Sequence, residues 1–117
     1  LDSVASVVIS FFIGKAAYEI FMDAVDKMVD KACDKETEQK IKELALGQSG
    51  VLGVDHLQTR LFGARMYVDI EIAADGKQTL YETHEIAEKV HDEIEAHFQE
   101  VKHCMVHVNP AKEKGTK

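Results

Sequence analysis

Apolar and polar positions alternate with different periods along this chain, and each period predicts an element. Residues 3–14, SVASVVISFFIG, carry no charge. Lys15 and Glu19 interrupt the run, and Ala16, Ala17, Tyr18, Ile20, Phe21 and Met22 resume it. The uncharged stretch is shorter than the roughly 20 apolar residues of a spanning helix. Three readings compete. It is a transmembrane helix whose polar residues face other helices or the headgroups, or a soluble amphipathic helix buried against a partner. The third is a signal peptide, against which stand the missing basic start and cleavage site. Residues 23–35 then mix charges with Ala24, Val25, Met28, Val29 and Ala32, as a helix emerging into water would.

Asp34 can cap a second helix, with Glu36 in its first turn and Ile41, Leu44 and Ala45 as its apolar stripe. Gly47, Ser49 and Gly50 end it. Residues 51–61 read as a strand, and Phe62-Gly63-Ala64 as a turn. Residues 66–72 alternate strictly, with Met66, Val68, Ile70 and Ile72 on one face and Tyr67, Asp69 and Glu71 on the other. Asp75-Gly76 closes that strand.

Residues 80–98 form the clearest helix. Thr79 and Glu82 have capping-box spacing, and Thr83, Ile86, Ala87, Val90, Ile94 and Phe98 lie on one stripe. Residues 101–108 make a last strand, with Cys104, Val106 and Val108 opposite His103, Met105 and His107. Pro110 ends the pairing, and residues 111–117 are expected to be a disordered tail. The order helix, helix, strand, strand, helix, strand is an α+β arrangement, in which helices cover one face of a three-stranded sheet. A sheet this small with one face open is expected to find a second copy.

Composition narrows the function. The 117 residues suit one domain plus an appendage. The 21 acids exceed the 14 Lys and Arg, for a net charge of −7, which argues against a nucleic-acid partner. The two cysteines, Cys33 and Cys104, suggest no disulfide framework. No nucleophile elbow, phosphate loop or dinucleotide fingerprint is present, so an enzyme is not expected. The chain starts on Leu1 and reads as a piece of something longer.

Histidines and carboxylates carry the remaining signal. Glu71 and His107 project from one sheet face, and imidazole with carboxylate suits zinc and related divalent ions. Asp55 and His56 are adjacent on the first strand, so only one is expected to reach that face. His84 sits in the first turn of its helix, near the sheet edge. His84, Glu88, His91 and Glu95 also run down one line of that helix, a local chelating alternative. The competing reading is that all these are solvated polar residues.

The string LDSVASVVISFFIGKAAYEIFMDAVDKMVDKACDKE resembles the last transmembrane helix and exit segment of the cation diffusion facilitator family. GVLGVDHLQTRLFGARMYVDIEI resembles that family's first two cytosolic strands, LYETHEIAEKV its second cytosolic helix, and MVHVNP its closing strand. The resemblance covers residues 1–110. It implies a last transmembrane helix and exit segment at residues 1–33, and a cytosolic ferredoxin/metallochaperone-like α-β-β-α-β domain at residues 34–110. Family members are dimeric multi-pass membrane transporters that export zinc or other divalent cations, usually in exchange for protons. They bind metal near the dimer interface of the cytosolic domain. The expected ion is Zn2+ or another divalent cation (Fe2+, Mn2+, Cd2+ or Co2+). His84 matches the family's helix histidine and His107 its closing-strand histidine. The family's His-Asp order is reversed at Asp55-His56, Glu71 replaces a histidine, and Asn109 stands where an acid is frequent. Asp30 matches an acidic position of a charge interlock between protomers.

Overall fold

The computed structural model describes residues 1–29 and 31–112. They form two compact units, divided after Lys31. The first holds one helix, α1 (Asp2–Met28). At 1.5 Å per residue its 27 residues extend about 40 Å, more than the roughly 30 Å hydrocarbon layer of a bilayer. Its most apolar 18-residue window has a mean hydropathy of 1.6, and it is long and apolar enough to cross a membrane. None of its residues is buried, and Phe11, Phe12, Ile13, Ile20 and Phe21 are all exposed. The helix stops at Met28, earlier than the charged pattern through residue 35 suggested. The expected interlock residue, Asp30, lies outside the described residues.

The second unit contains α2 (Lys35–Leu46), β1 (Gly53–Phe62), β2 (Arg65–Ala74), α3 (Leu80–His97) and β3 (Val101–Pro110). Each boundary has a chemical cause. Asp34 caps α2, its carboxylate accepting from the Thr37 N–H at 3.0 Å. The Thr37 hydroxyl, with that backbone bond second, holds the Asp34 carboxyl below its ordinary range. Thr79 and Glu82 form a reciprocal capping box on α3. The Glu82 carboxyl is likewise lowered by accepting from the Thr79 backbone. Gly63 turns the β1–β2 hairpin at φ 63°, where a two-residue loop needs a residue free to enter positive φ.

Strand order is β1-β2-β3, with β1 antiparallel and β3 parallel to the central β2. A parallel neighbour requires a crossover, which α3 supplies. On the helix side of the sheet the register brings together Val54, Ile72 and Val108; then Leu57, Ile70 and Val106; then Thr59, Val68 and Cys104. Ile41 and Ala45 of α2 and Ile86, Val90 and Ile94 of α3 complete this core. The stripe expected on α3 is therefore the buried face.

Cys33 belongs to this second unit and is buried. Its N–H donates to Thr59 Oγ1 at 3.0 Å, and that hydroxyl donates to Glu38 Oε1 at 2.8 Å. Thr59 is the one buried polar residue among the described residues, and the chain Cys33–Thr59–Glu38 ties the start of the unit to β1 and α2. At the other end the Ala111 N–H still donates to the Ala74 carbonyl, so the ordered backbone continues just past β3. Residues 113–117, the rest of the expected tail, are outside the described residues.

Candidate metal centre

The sheet face away from the helices carries the candidate site. A β-bulge interrupts the β1–β2 register between Val54 and His56. Beyond it His56 pairs with Glu71, and Glu71 pairs with His107 on its other side. Three of the five expected residues thus form one cross-strand row, and directly opposed residues have Cβ atoms about 5 Å apart. The next row is Gln58, Asp69 and Met105. Together these residues line a shallow concavity of about 390 Å³.

The bulge also changes the relation of Asp55 to this row. Strict alternation would let only one of Asp55 and His56 serve the face. With the extra residue absorbed, His56 faces Glu71 while the Asp55 carboxylate stays within reach of the same end of the sheet. Asn109 shows this directly: its side-chain Nδ2 donates to Asp55 Oδ2 and to Glu71 Oε2, both at 3.1 Å. The amide spends its donors on the two carboxylates and holds them together. Each carboxylate retains further acceptor sites.

His84 lies elsewhere. It lines a concavity of about 510 Å³ between the start of α3 and β3, with Leu80, Thr83, Ala87, Val106 and Val108. Val106 and Val108 face the helix layer, whereas His107 faces the open side, so β3 separates the two histidines within one chain. The His84 Nε2 is 3.7 Å from Glu88 Oε1. Among the described residues, no three His, Cys, Asp or Glu side chains are close enough together to hold an ion by themselves.

Two neighbours of the row lay outside the expected ligand set, although Asn109 was already noted as standing where an acid is frequent. Asp69 lines the same concavity and faces the Arg60 guanidinium at 3.6 Å. Its two-residue spacing from Glu71 was the available signal. Asn109 acts as the clamp between Asp55 and Glu71, which only the bulge reveals. Cys104 is no ligand: its thiol lies in the core, and burial, with the Glu95 and Asp69 carboxylates, pushes it up to about 12. His97 bonds the Glu93 carbonyl of its own helix at 2.9 Å and serves the end of α3.

A family model described as "Cation efflux protein, cytoplasmic domain" matches residues 33–111, most of the chain. The chain belongs to the cation efflux family, also called cation diffusion facilitators. Among relatives of this family, the manganese efflux system protein MneP of Bacillus subtilis is 28% identical over 109 residues, 93% of this chain and 37% of that protein. The cation-efflux pump FieF of Shewanella oneidensis is 28% identical, over 93% of this chain and 36% of its own length. This chain therefore spans little more than a third of these cation efflux relatives.

Solved structures of MamM CTD share the fold. One variant aligns with a TM-score of 0.66 at 25% identity, covering 68% of this chain and all of that one. Another, in a cadmium form, aligns at 0.65 and 26% identity, covering 67% of this chain and 98% of that one. The matched portion covers nearly the whole of each of these MamM CTD chains. The metallochaperone-like fold expected of the family is the fold observed.

Proposed function

We propose that this chain is the carboxyl-terminal part of a divalent-cation efflux transporter of the zinc type, working as a cation/proton antiporter. In that reading α1 is the last membrane helix of a multi-pass protein in the cell membrane, and residues 34–117 are cytosolic. The second unit dimerises and binds metal to regulate transport. Glu71 and His107 supply the central donors, and His56 and Asp55 flank them; His84, which lies behind β3 in its own chain, reaches such an ion only from a second copy. The row His56–Glu71–His107 carries the proposal. Two imidazoles and a carboxylate suit zinc, manganese or cadmium, and the mixed set does not single out one ion. One chain offers an open and incomplete set, so a second copy across the sheet face would complete the coordination. Metal would then favour the closer arrangement of the pair, because shared ligands coordinate only when the cleft closes.

The test is a zinc titration of the second unit with Glu71→Gln and His107→Ala. Loss of one zinc equivalent supports the site, and unchanged uptake and affinity remove it. A second reading has its own support. The Asn109 amide already ties Asp55 to Glu71 without any cation, which suits a metal-independent dimerisation module. Calorimetry with no zinc uptake at micromolar concentration, from an intact dimer, would favour that reading.

A further inference from the structure

On the flank of α3 next to β3, His91 makes an arrangement that the sheet-face site does not use. Its Nδ1 lies 2.8 Å from the backbone carbonyl of Cys104, tying α3 to β3. A carbonyl only accepts, so Nδ1 carries the proton, and Nε2 of the neutral ring keeps its lone pair. That Nε2 faces Glu95 Oε1 at 3.3 Å. Two acceptors at this distance leave room for one cation to be shared between them. A proton gives an imidazolium–carboxylate pair, and a divalent ion gives a chelate.

We propose that His91 and Glu95 form a second, helix-borne binding site for a divalent cation, with water completing the coordination. Three observations converge on it. First, the separation fits: zinc–nitrogen and zinc–oxygen bonds of about 2.1 Å at a tetrahedral angle put two ligand atoms about 3.4 Å apart. Second, the ring is already oriented by a hydrogen bond from its other nitrogen to a carbonyl, the usual outer partner of a metal-bound histidine. Third, the side chains are 32% and 38% exposed, open enough to admit an ion with its waters. The surroundings favour a cation as well: α3 carries six acids, Glu82, Glu85, Glu88, Asp92, Glu93 and Glu95, against Lys89 alone.

The His84–Glu88 pair on the same helix is the internal comparison. It has the same spacing but is wider, at 3.7 Å, and 66% and 59% exposed. His91 therefore binds first and His84–Glu88 only at higher metal concentration. The donor pair is small, so the expected ion exchanges readily.

The experiment uses the 117-residue chain in detergent, with a background of Asp55→Asn, His56→Ala, Glu71→Gln, His84→Ala and His107→Ala that removes the donors of the proposed sheet-face site. Zinc is titrated against a chromophoric chelator while the His91 ring nitrogens are followed by NMR. The expected result is one retained equivalent that displaces the His91 Nε2 resonance. Glu95→Gln, which leaves the His91–Cys104 bond in place, should weaken that equivalent at least tenfold. His91→Phe should abolish it. Absence of zinc uptake in the background chain, an unmoved Nε2 resonance, or unaltered binding in Glu95→Gln would each overturn the proposal. Failure of the sheet-face reading appears separately, as equal zinc uptake by the parent and the background chain.

Discussion

Asn109 is the position where charge and stability are most directly joined. Replacing it with aspartate removes the donor shared by Asp55 and Glu71 and puts a third carboxylate between them. Two hydrogen bonds to carboxylates are lost, worth about 1 kcal/mol each once solvent exposure is allowed for. Two new like-charge contacts appear, each about 1 kcal/mol at 5 Å in a water-like dielectric. Asn109→Asp should therefore destabilise the metal-free second unit by about 2–4 kcal/mol near neutral pH. A divalent cation would reverse the sign, because three carboxylates and His107 make a better oxygen-rich site than two carboxylates clamped by an amide. An ion at one hundred times its dissociation constant stabilises by about 2.7 kcal/mol, enough to return most of the loss.

Urea unfolding of the second unit, in chelator and in excess zinc, measures both terms. Asn109→Ala provides the control: it loses the two hydrogen bonds, adds no charge, and should show the smaller deficit with no added response to zinc. Equal stability of Asn109→Asp and the parent in chelator would refute the clamp. A deficit that zinc leaves untouched would refute the metal reading of this end of the sheet.

Two further outcomes follow from the core. Thr59→Val deletes the hydroxyl that accepts from the Cys33 N–H and donates to Glu38, leaving a buried donor unmatched. It should lower unfolding free energy by about 2 kcal/mol, whereas Thr59→Ser should cost less than half of that; urea midpoints decide between them. The Cys104 thiol is raised from an ordinary 9.0 to about 12 in the fold, so its protonated form stabilises fully below pH 9 and that contribution is lost as pH climbs through 12. Cys104→Val should flatten this alkaline limb in a pH series of unfolding midpoints, and an unchanged slope would show that the thiol does not drive it.

What the sequence made legible was set by local periodicity. Alternation along residues 66–72 marked the core side of β2, and the four-residue spacing of Ile86, Val90 and Ile94 marked the buried face of α3. Asp34 and Thr79 were readable as caps because a cap is chosen by bonds within one turn. The site depended on something periodicity does not contain. In β1 a single extra residue at Asp55 decides which neighbour faces Glu71, and a one-residue slip moves every later side chain to the other side of a sheet. Nothing in VLGVDHLQTRL announces where that residue is absorbed. The placement of His84 behind β3 is likewise set by how α3 seats on the sheet, a tertiary fact with no local signature. The same reasoning explains why spacing offered the whole line of His84, Glu88, His91 and Glu95 as a chelating alternative without distinguishing His91 within it. Its spacing from Glu95 was visible, but the carbonyl that fixes its ring belongs to Cys104, on a strand reached only after the crossover has closed. Spacing proposes pairs of donors, and tertiary contacts decide which of them are held still enough to bind.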